Sequence, residues 1–217
     1  MEKLIRRLVE ETTWRAIKEI ANQGEAGAVF PVGTEIETEL KNGEKAVFVV
    51  AATDLYCPGE LIFMTKDCIG EDHVMNNGWT NDGGWPDCEM RRYLNEELVK
   101  LLPDDLLEII SPKRTVQLIG GNRVSCKDIL FLPSEYEVFG KEVFAKHNGE
   151  DKQFPYYSDQ KNRISLDSDG STIWKWLASP CADSYSNFCF VYYGGNGNCY
   201  GASDPYGVAP GFVIRKS

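Results

Sequence analysis

The C-terminal segment from Ala178 to Ile214 is the feature that most limits what this chain can build. The chain is 26% charged, yet this segment contains no Lys, Arg, Glu, Gln, Met, Leu or Trp. It consists mainly of Ser, Asn, Tyr, Cys and Gly, interrupted by the apolar patches Phe188–Val191 and Val208–Ile214. We therefore expect short strands joined by exposed loops.

The same segment has the composition of a recognition surface. In antibody paratopes, Tyr supplies a large contact area at low entropy cost, while Ser, Asn and Gly supply adaptable hydrogen bonds. The alternative is a plain β-rich domain with Gly/Asn turns and a few half-buried tyrosines. A cluster of exposed tyrosines would separate the two interpretations, and the candidates are Tyr185, Tyr192, Tyr193, Tyr200 and Tyr206.

The first half of the chain alternates helix and strand signals. Apolar residues recur at helical spacing from residue 2 to about 23, which predicts an amphipathic helix packed on the outer face of the domain. Thr34–Leu40 alternates, and Lys41-Asn42-Gly43 separates it from the apolar run Ala46–Val50, which predicts a β-hairpin. Residues 76–86 are rich in turn formers and predict a long ordered loop anchored by its two tryptophans.

The middle of the chain predicts a further pair of strands and a short helix. Thr115–Ile119 and Asp128–Leu132 are apolar enough to form strands on either side of the turn Gly120-Gly121-Asn122. Ser134-Glu135-Tyr136-Glu137 matches a capping box, so we expect a helix that ends near Gly140. Together these signals indicate an α+β fold of short antiparallel strands, several short helices and long ordered loops.

The charge of the chain limits its partners. A formal net charge of −10 and a pI near 4.8 repel phosphate backbones and anionic lipid surfaces. We therefore expect neither nucleic acid nor membrane as a partner, and a ligand that is neutral or locally basic. No run approaches the ~20 apolar residues of a membrane span, and Met1–Glu11 lacks the apolar stretch of a signal peptide. The primary product is expected to be cytoplasmic.

The titratable and reactive residues do not form a catalytic motif. The seven cysteines contain no C-x-x-C pair, so we expect reduced thiols and no metal site. His73 and His147, the two candidate bases, stand outside any recognisable motif. Asp167-Ser168-Asp169-Gly170 lacks the later ligands of a calcium loop, and Asn81-Asp82-Gly83 is typical of an ordinary turn. The sequence predicts no catalytic residue and no cofactor.

Several short motifs resemble a family of bacterial and phage proteins with the formylglycine-generating-enzyme-like variant of the C-type lectin fold. The resemblance covers roughly Thr34 to Ile214 and depends on the order and spacing of the motifs rather than on any one of them. They are Asn76–Trp79 before Arg91–Asn95, Phe131–Glu135, Trp176–Pro180 and Gly207–Phe212. The resemblance implies a C-type-lectin-like ligand-binding domain over 28–217, preceded by the packed helix 1–27.

This fold is shared by the variable proteins of diversity-generating retroelements. In those proteins a reverse transcriptase randomises adenines, so that AAC codons become NNC, which cannot encode Lys, Glu, Gln, Met or Trp. The resemblance therefore implies that 178–214 is a display segment that binds a protein or a glycan without catalysis. The ligand face that it implies consists of Tyr185, Asn187, Tyr192, Tyr193, Asn196, Asn198, Cys199, Tyr200, Asp204 and Tyr206.

Two other functions remain open at the level of sequence. An oxidase of the formylglycine-generating type would need a reactive thiol of low pKa, and Cys181, Cys189 and Cys199 do not have the close sequence spacing of that enzyme's cysteine pair. A structural component of a virion, assembled through the N-terminal helix, is the second alternative.

Overall fold

The N-terminal helix packs into the main core. The computed structural model describes residues 13–216, so the first part of the predicted helix lies outside the described residues. Helix α1 (Trp14–Gln23) begins where the Thr13 side chain accepts a hydrogen bond from the backbone N–H of Ala16, and it ends at Gly24, whose φ is 80°. Among the described residues, no helix has the length and apolar content that a bilayer crossing requires.

A four-stranded antiparallel sheet forms the centre of the molecule. Its strand order is β1-β2-β3-β11, so the last strand of the chain closes a sheet that the first strands begin. The predicted hairpin is confirmed, because Asn42 and Gly43 lie in the turn between β1 and β2 and Gly43 has a φ of 87°. The strands are β1 (Glu35–Glu39), β2 (Lys45–Thr53), β3 (Leu61–Thr65) and β11 (Gly211–Ile214).

Aromatic contacts join α1 to this sheet. The Trp14 ring meets Phe48, Phe63 and Phe212 edge-on, with centroids 5.5 to 5.9 Å apart. Edge-to-face pairs of this kind add about 0.5–1.5 kcal/mol each beyond the buried area. The helix is therefore part of the same hydrophobic core as the sheet.

Short helical segments connect the sheets. Trp85 is fully buried and anchors the long loop as predicted, whereas Trp79 is 66% exposed and does not. The predicted capping box is present: Ser134 and Glu137 bond each other's backbone N–H groups. The segments are α2 (Ala26–Val29), α3 (Gly84–Asp87), α4 (Glu89–Arg92) with its π- and 3₁₀-helical extensions (Tyr93–Glu97, Leu98–Leu101), α5 (Asp104–Leu107), α6 (Glu135–Phe139) and the 3₁₀ turns Pro155–Ser158 and Gln160–Arg163.

The second predicted strand pair is shifted. Strand β4 (Lys113–Ile119) pairs with β5 (Asn122–Asp128), and the prediction of a strand over Asp128–Leu132 was wrong. The two glycines of the turn have φ of 56° and 80°, so pairing resumes at once, with Ile119 opposite Asn122. β5 is a polar strand whose first four residues are exposed, which hides it from hydrophobic patterning. The apolar run after it packs into the core instead.

A three-stranded antiparallel sheet carries the C-terminal display segment. Its order is β10-β9-β8, formed by β8 (Lys175–Pro180), β9 (Asn187–Val191) and β10 (Gly197–Gly201). The two-stranded pair β6 (Ser165–Leu166) and β7 (Thr172–Ile173) precedes it. The protein is thus a mixed α+β structure of several small antiparallel sheets and short helices, as expected.

Candidate functional site

One face of the display segment carries a cluster of aromatic rings, which we call the aromatic patch. Trp174, the residue before β8, lies at its centre. Its ring centroid is 4.9 Å from that of Tyr206, 5.2 Å from Tyr192, 5.4 Å from Tyr193 and 6.1 Å from Tyr200. These five residues define the patch, and they bring together four of the five tyrosines that composition alone singled out.

A buried aromatic layer supports the patch from below. Phe190 on β9 is buried, and its ring lies 5.0 Å from Trp174 and 5.6 Å from Tyr206. Trp176 packs edge-on against Phe190, and its indole N–H donates to the carbonyl of His73 at 2.9 Å. Aromatic side chains have few rotatable bonds, so rings held from below in this way are ordered before any ligand arrives.

The upper rings of the patch are open to solvent. The exposed fractions are 41% for Tyr192, 44% for Tyr193 and 46% for Tyr200. A Cβ on Gly201 would lie 3.3 Å from Trp79 and 2.8 Å from Asp204, so both side chains lie directly over the backbone at the end of β10. Exposed aromatic rings grouped in this way mark contact surfaces more often than scattered apolar residues do.

Two buried polar atoms beside the patch have no partner. Trp174 Nε1 and Asp204 Oδ2 are inaccessible and form no hydrogen bond within residues 13–216. Native proteins contain few such atoms. Burial, followed by the nearby charge of Asp204, raises the pKa of Tyr206 to about 12, so this phenol keeps its proton at neutral pH.

The remaining predicted residues of the ligand face are dispersed. Tyr185 is 80% exposed but takes part in none of the ring contacts of the patch, and its carbonyl accepts from the backbone N–H of Asn81. The three asparagines are engaged locally: Asn187 accepts from Ser186, Asn196 from Gln160, and Asn198 from the backbone N–H of Cys199. Of these, Asn196 and Asn198 are exposed near the patch.

Cys199 does not belong to the aromatic patch. On β10, Asn198 and Tyr200 are exposed while Cys199 between them is half-buried, as expected for alternating strand faces. Its sulfur forms a disulfide with Cys181, and the Cys189 sulfur lies 3.8 Å away. The structure therefore places Cys199 on the face of the sheet opposite the aromatic patch, and sequence composition does not show which side of a strand a residue occupies.

The three C-terminal cysteines converge although they are far apart in sequence. Cys189 lies directly opposite Cys199 in the β9–β10 pairing, and Cys181 follows β8 at once. The expectation of reduced thiols fails for Cys181 and Cys199, and wide sequence spacing did not imply wide spatial separation. Sheet register, which the spacing does not reveal, brings the three sulfurs together. The described cysteines outside the disulfide are Cys57, Cys68, Cys88, Cys126 and Cys189.

A cavity of about 240 Å³ lies between the β4–β5 hairpin and the segment Ser179–Ser184. None of the ten predicted ligand-face residues lines it. Two amide side chains of its lining are engaged within the fold: the Gln117 side chain accepts from the backbone N–H of Trp85 and donates to the carbonyl of Ala178. The Asn148 side chain donates to the carbonyl of Val116. These two side chains hold the hairpin in place.

The histidines and the acidic turn have structural contacts. The His73 ring stacks on Tyr93 at 4.1 Å, and the His147 ring stacks on Tyr136 at 3.7 Å. Each ring also has one nitrogen within 2.9 Å of a backbone carbonyl. Asp167 Oδ1 accepts the backbone N–H groups of Asp169 and Ser171 and thereby closes the β6–β7 turn.

Sequence reasoning missed the centre of the patch. Trp174 precedes the segment with the unusual composition and is not among the candidates that composition indicates, and Trp79 is one of the two tryptophans predicted to anchor the long loop. Trp174 stands between Ile173 and Lys175, and these neighbours gave no indication that its ring lies among the exposed tyrosines. For Trp79, the neighbouring Asn77-Gly78 and Thr80-Asn81 gave no indication of which of the two loop tryptophans is exposed.

Comparison with known proteins gives one match. No curated protein and no solved structure is significantly similar to this chain. The sequence profile of a domain of unknown function, DUF6273, matches residues 59–216. The match begins just before β3 and includes the whole display segment, whereas α1, β1 and β2 precede it although β1 and β2 share a sheet with β3 and β11. The chain belongs to the DUF6273 family.

Proposed function

We propose that this protein is a non-enzymatic binding protein whose aromatic patch recognises a protein or a glycan. The observation that carries the proposal is the patch itself: one tryptophan and four tyrosines in mutual contact, three of them more than 40% exposed, on a buried aromatic layer. Aromatic anchors held in place before binding lose little entropy when a ligand arrives. Sugar rings and apolar protein side chains both pack on such faces.

Charge supports a neutral or basic ligand. The display segment carries Asp183 and Asp204 and no Lys or Arg, within a chain of net charge −10. An acidic ligand would be repelled by this surface, whereas a basic segment of a partner would be attracted to it.

We further propose that the fold is a C-type-lectin-like variant and that the patch is diversified by a retroelement. The small antiparallel sheets, the return of β11 to the sheet of β1 and the long loops support the first part, and the restricted composition of 178–214 supports the second. Sequencing the DNA downstream of the gene tests the second part. A near-repeat of the codons for 178–214 that differs at adenines, beside a reverse transcriptase gene, supports it, and the lack of one contradicts it.

Substitution of exposed tyrosines tests the binding function itself. The probes are a glycan array and a displayed library of random peptides, because the ligand class is a protein or a glycan. We expect the wild-type chain to select members of one probe class, and Tyr200→Ala to weaken that binding by more than about 10-fold, as for a binding hot spot. Thermal stability is expected to change little.

Phe144→Ala is the matched control. Phe144 is an aromatic residue of similar exposure, 40%, and it lies outside the patch. Binding by this variant is expected to equal that of the wild type. Equal loss in both variants, or no selection from either probe class by the wild type, would contradict the proposal.

The pKa values of the thiols support a role without catalysis. An oxidase of the type considered above needs a thiol of low pKa. Burial raises the pKa of Cys68, Cys88 and Cys126 to about 12, and it also raises that of Cys189. Titration of thiol alkylation against pH checks this, since a thiol that reacts fully at pH 6 would favour the oxidase instead.

A further inference from the structure

The face of the β8–β9–β10 sheet opposite the aromatic patch gathers three sulfur atoms. The Cys189 sulfur is 3.8 Å from that of Cys181 and 3.8 Å from that of Cys199. All three lie within 4.8 Å of one another. Two of the residues sit on adjacent paired strands and the third follows the neighbouring strand, so backbone hydrogen bonds fix their separation.

The surroundings of the cluster are closed and rigid. Cys181 and Cys189 are buried and Cys199 is half-buried. The Glu135 carboxylate lies beside Cys189 and is held by the backbone N–H groups of Val143, Phe144 and Ala145 at 2.9 to 3.1 Å. A carboxylate fixed by several backbone donors keeps its position without the cysteines, so a negative charge stays next to the cluster.

The two separations from Cys189 suit a thiophilic cation, whereas the Cys181 and Cys199 sulfurs are joined by the disulfide and separate only on reduction. Thiolates select Cu⁺ and Zn²⁺ over hard cations such as Mg²⁺ and Ca²⁺. Zinc–sulfur bonds are about 2.3 Å long, so sulfurs bound to one ion are about 3.8 Å apart in a tetrahedral site, which is the separation of Cys189 from its two neighbours. Among the residues that the structure describes, no other group of three His, Cys, Asp or Glu side chains meets the same distance requirement.

We propose that Cys181, Cys189 and Cys199, when reduced, form a binding site for a thiophilic cation of the Zn²⁺ or Cu⁺ class. The site is independent of the aromatic patch, because it lies on the other face of the sheet. The Cys181–Cys199 disulfide is the alternative state of the same residues, and it removes two of the three ligands. Metal binding and disulfide formation therefore exclude each other.

The reduced state can be prepared without a competing chelating thiol. A water-soluble phosphine attacks the disulfide and becomes the phosphine oxide, with water supplying the oxygen atom and the two protons that the thiols receive. The two electrons come from phosphorus, so each chain yields two thiols for each phosphine oxidised. The Cys189 thiol is unchanged by this step.

The test is a metal titration of the full chain after reduction. Cd²⁺ is the spectroscopic probe, because sulfur-to-cadmium charge transfer gives an ultraviolet absorption, and Zn²⁺ and Cu⁺ are then added as competitors. We expect one equivalent of Cd²⁺ per chain, displaced by Zn²⁺, by Cu⁺ or by both. We also expect no such absorption from the protein kept in its disulfide form.

Single substitutions assign the binding to the cluster. Cys189→Ser and Cys199→Ser are each expected to lower the affinity by more than about 10-fold, since even changes outside the ligand shell have effects of that size. Cys57→Ser is the matched control, because Cys57 is half-buried outside the cluster. The affinity of this variant for Cd²⁺ should equal that of the wild type. Circular dichroism verifies that each variant is folded, and Cys199→Ser, at the half-buried position, serves if Cys189→Ser does not fold.

Two results would overturn the proposal. The first is a reduced wild-type chain that shows no cadmium–sulfur absorption at one equivalent. The second is binding that persists in folded Cys199→Ser at wild-type affinity, or that is lost in Cys57→Ser. Neither result bears on the tyrosine variants, so a failure here is distinguishable from a failure of the proposed ligand-binding function.

Discussion

Two buried lysines have opposite environments in this molecule. Lys113 on β4 lies beside α6, where its amine is 2.9 Å from the Glu137 carboxylate and 4.5 Å from the centre of the Phe131 ring. Lys175 follows Trp174 of the aromatic patch in the sequence, and its amine donates to the Ser165 hydroxyl at 2.8 Å and lies 5.4 Å from the centre of the Tyr157 ring. No carboxylate within the described residues forms an ion pair with Lys175.

The two environments have opposite effects on the lysine pKa. For Lys113, burial acts to lower the pKa, but the charges of Glu137 and Asp151 outweigh it, and the net pKa is raised. For Lys175, burial dominates and lowers the pKa to about 8.

The polar groups near α6 are paired with one another. Glu137 also accepts from the Tyr56 hydroxyl and from the backbone N–H of Ser134. Lys175 has only the more distant charge of Asp67 and no ion-pair partner among the described residues, and in the patch region Trp174 Nε1 and Asp204 Oδ2 have no hydrogen-bond partner there. We infer that the pairing near α6 stabilises the fold, and that the patch region retains unpaired groups next to the proposed binding surface.

Lys113→Met is the largest expected effect. The substitution leaves the Glu137 carboxylate buried without its cation, and breaking a buried pair in this way destabilises a protein by about 3–5 kcal/mol. Chemical denaturation at pH 7 measures the free energy of unfolding.

Lys66→Met is the control for this prediction. The Lys66–Glu35 pair is 2.7 Å long but more than 40% exposed on both sides, so its loss should change the free energy of unfolding by at most about 1 kcal/mol. If the free energy of unfolding fell equally in Lys113→Met and Lys66→Met, the distinction between the buried ion pair and the surface ion pair would not hold.

Lys175→Met should have an effect that depends on pH. In the unfolded chain the lysine pKa is 10.5, whereas in the fold it is about 8. Between these values the unfolded chain binds more protons than the native protein, so the stability of the wild type rises as the pH increases from about 8 towards 10.5. The gain over this window is up to roughly 3 kcal/mol.

The measurement is the difference in unfolding free energy between wild type and Lys175→Met at pH 7.5, 8.5 and 9.5. We expect the variant to be at least as stable as the wild type at pH 7.5, because it removes a buried charge that has no ion-pair partner among the described residues. We expect the difference to shift in favour of the wild type as the pH rises. Other titrating groups cancel in this difference. A difference that stays constant with pH would mean that Lys175 is charged in the native protein throughout.

Local signals in the sequence predicted the local structure of this protein. The Asn42-Gly43 turn and the Ser134 capping box depend on a few adjacent residues, and both are present as predicted. The α+β class followed from such signals. The position of strand β5 could not be predicted from such signals, because an exposed polar strand has no hydrophobic pattern and is held by its partner β4.

The candidate site was predicted only in part, because it depends on contacts between distant residues. Composition identified the tyrosines, since their excess is visible in the sequence. Trp174 and the cysteine cluster were missed, because their positions follow from the pairing of β8, β9 and β10. The same register places Cys199 and Tyr200, neighbours in sequence, on opposite faces of the sheet.

The smallest expected effect is a difference in stability between variants of Trp174 and Trp176, which are two residues apart in the sequence. Trp176 donates its indole N–H to the carbonyl of His73, whereas Trp174 Nε1 has no acceptor within the described residues. The same carbonyl also accepts from the backbone N–H of Tyr206, so Trp176→Phe removes one of its two hydrogen bonds, at a cost of about 0.5–1.5 kcal/mol beyond the loss of ring size. Trp174→Phe removes a donor that is already unpaired and carries no such penalty.

Both variants lose the same atoms, but Trp176 is fully buried whereas Trp174 is half-buried, so packing and the hydrogen bond act in the same direction. We expect Trp174→Phe to be the more stable of the two by at least about 0.5–1.5 kcal/mol, measured by urea denaturation. Equal stabilities would contradict this expectation and would mean that neither the burial nor the hydrogen bond of Trp176 adds measurably to the free energy of unfolding. The expected difference would show that stability depends on the buried aromatic layer more than on the ring at the centre of the patch.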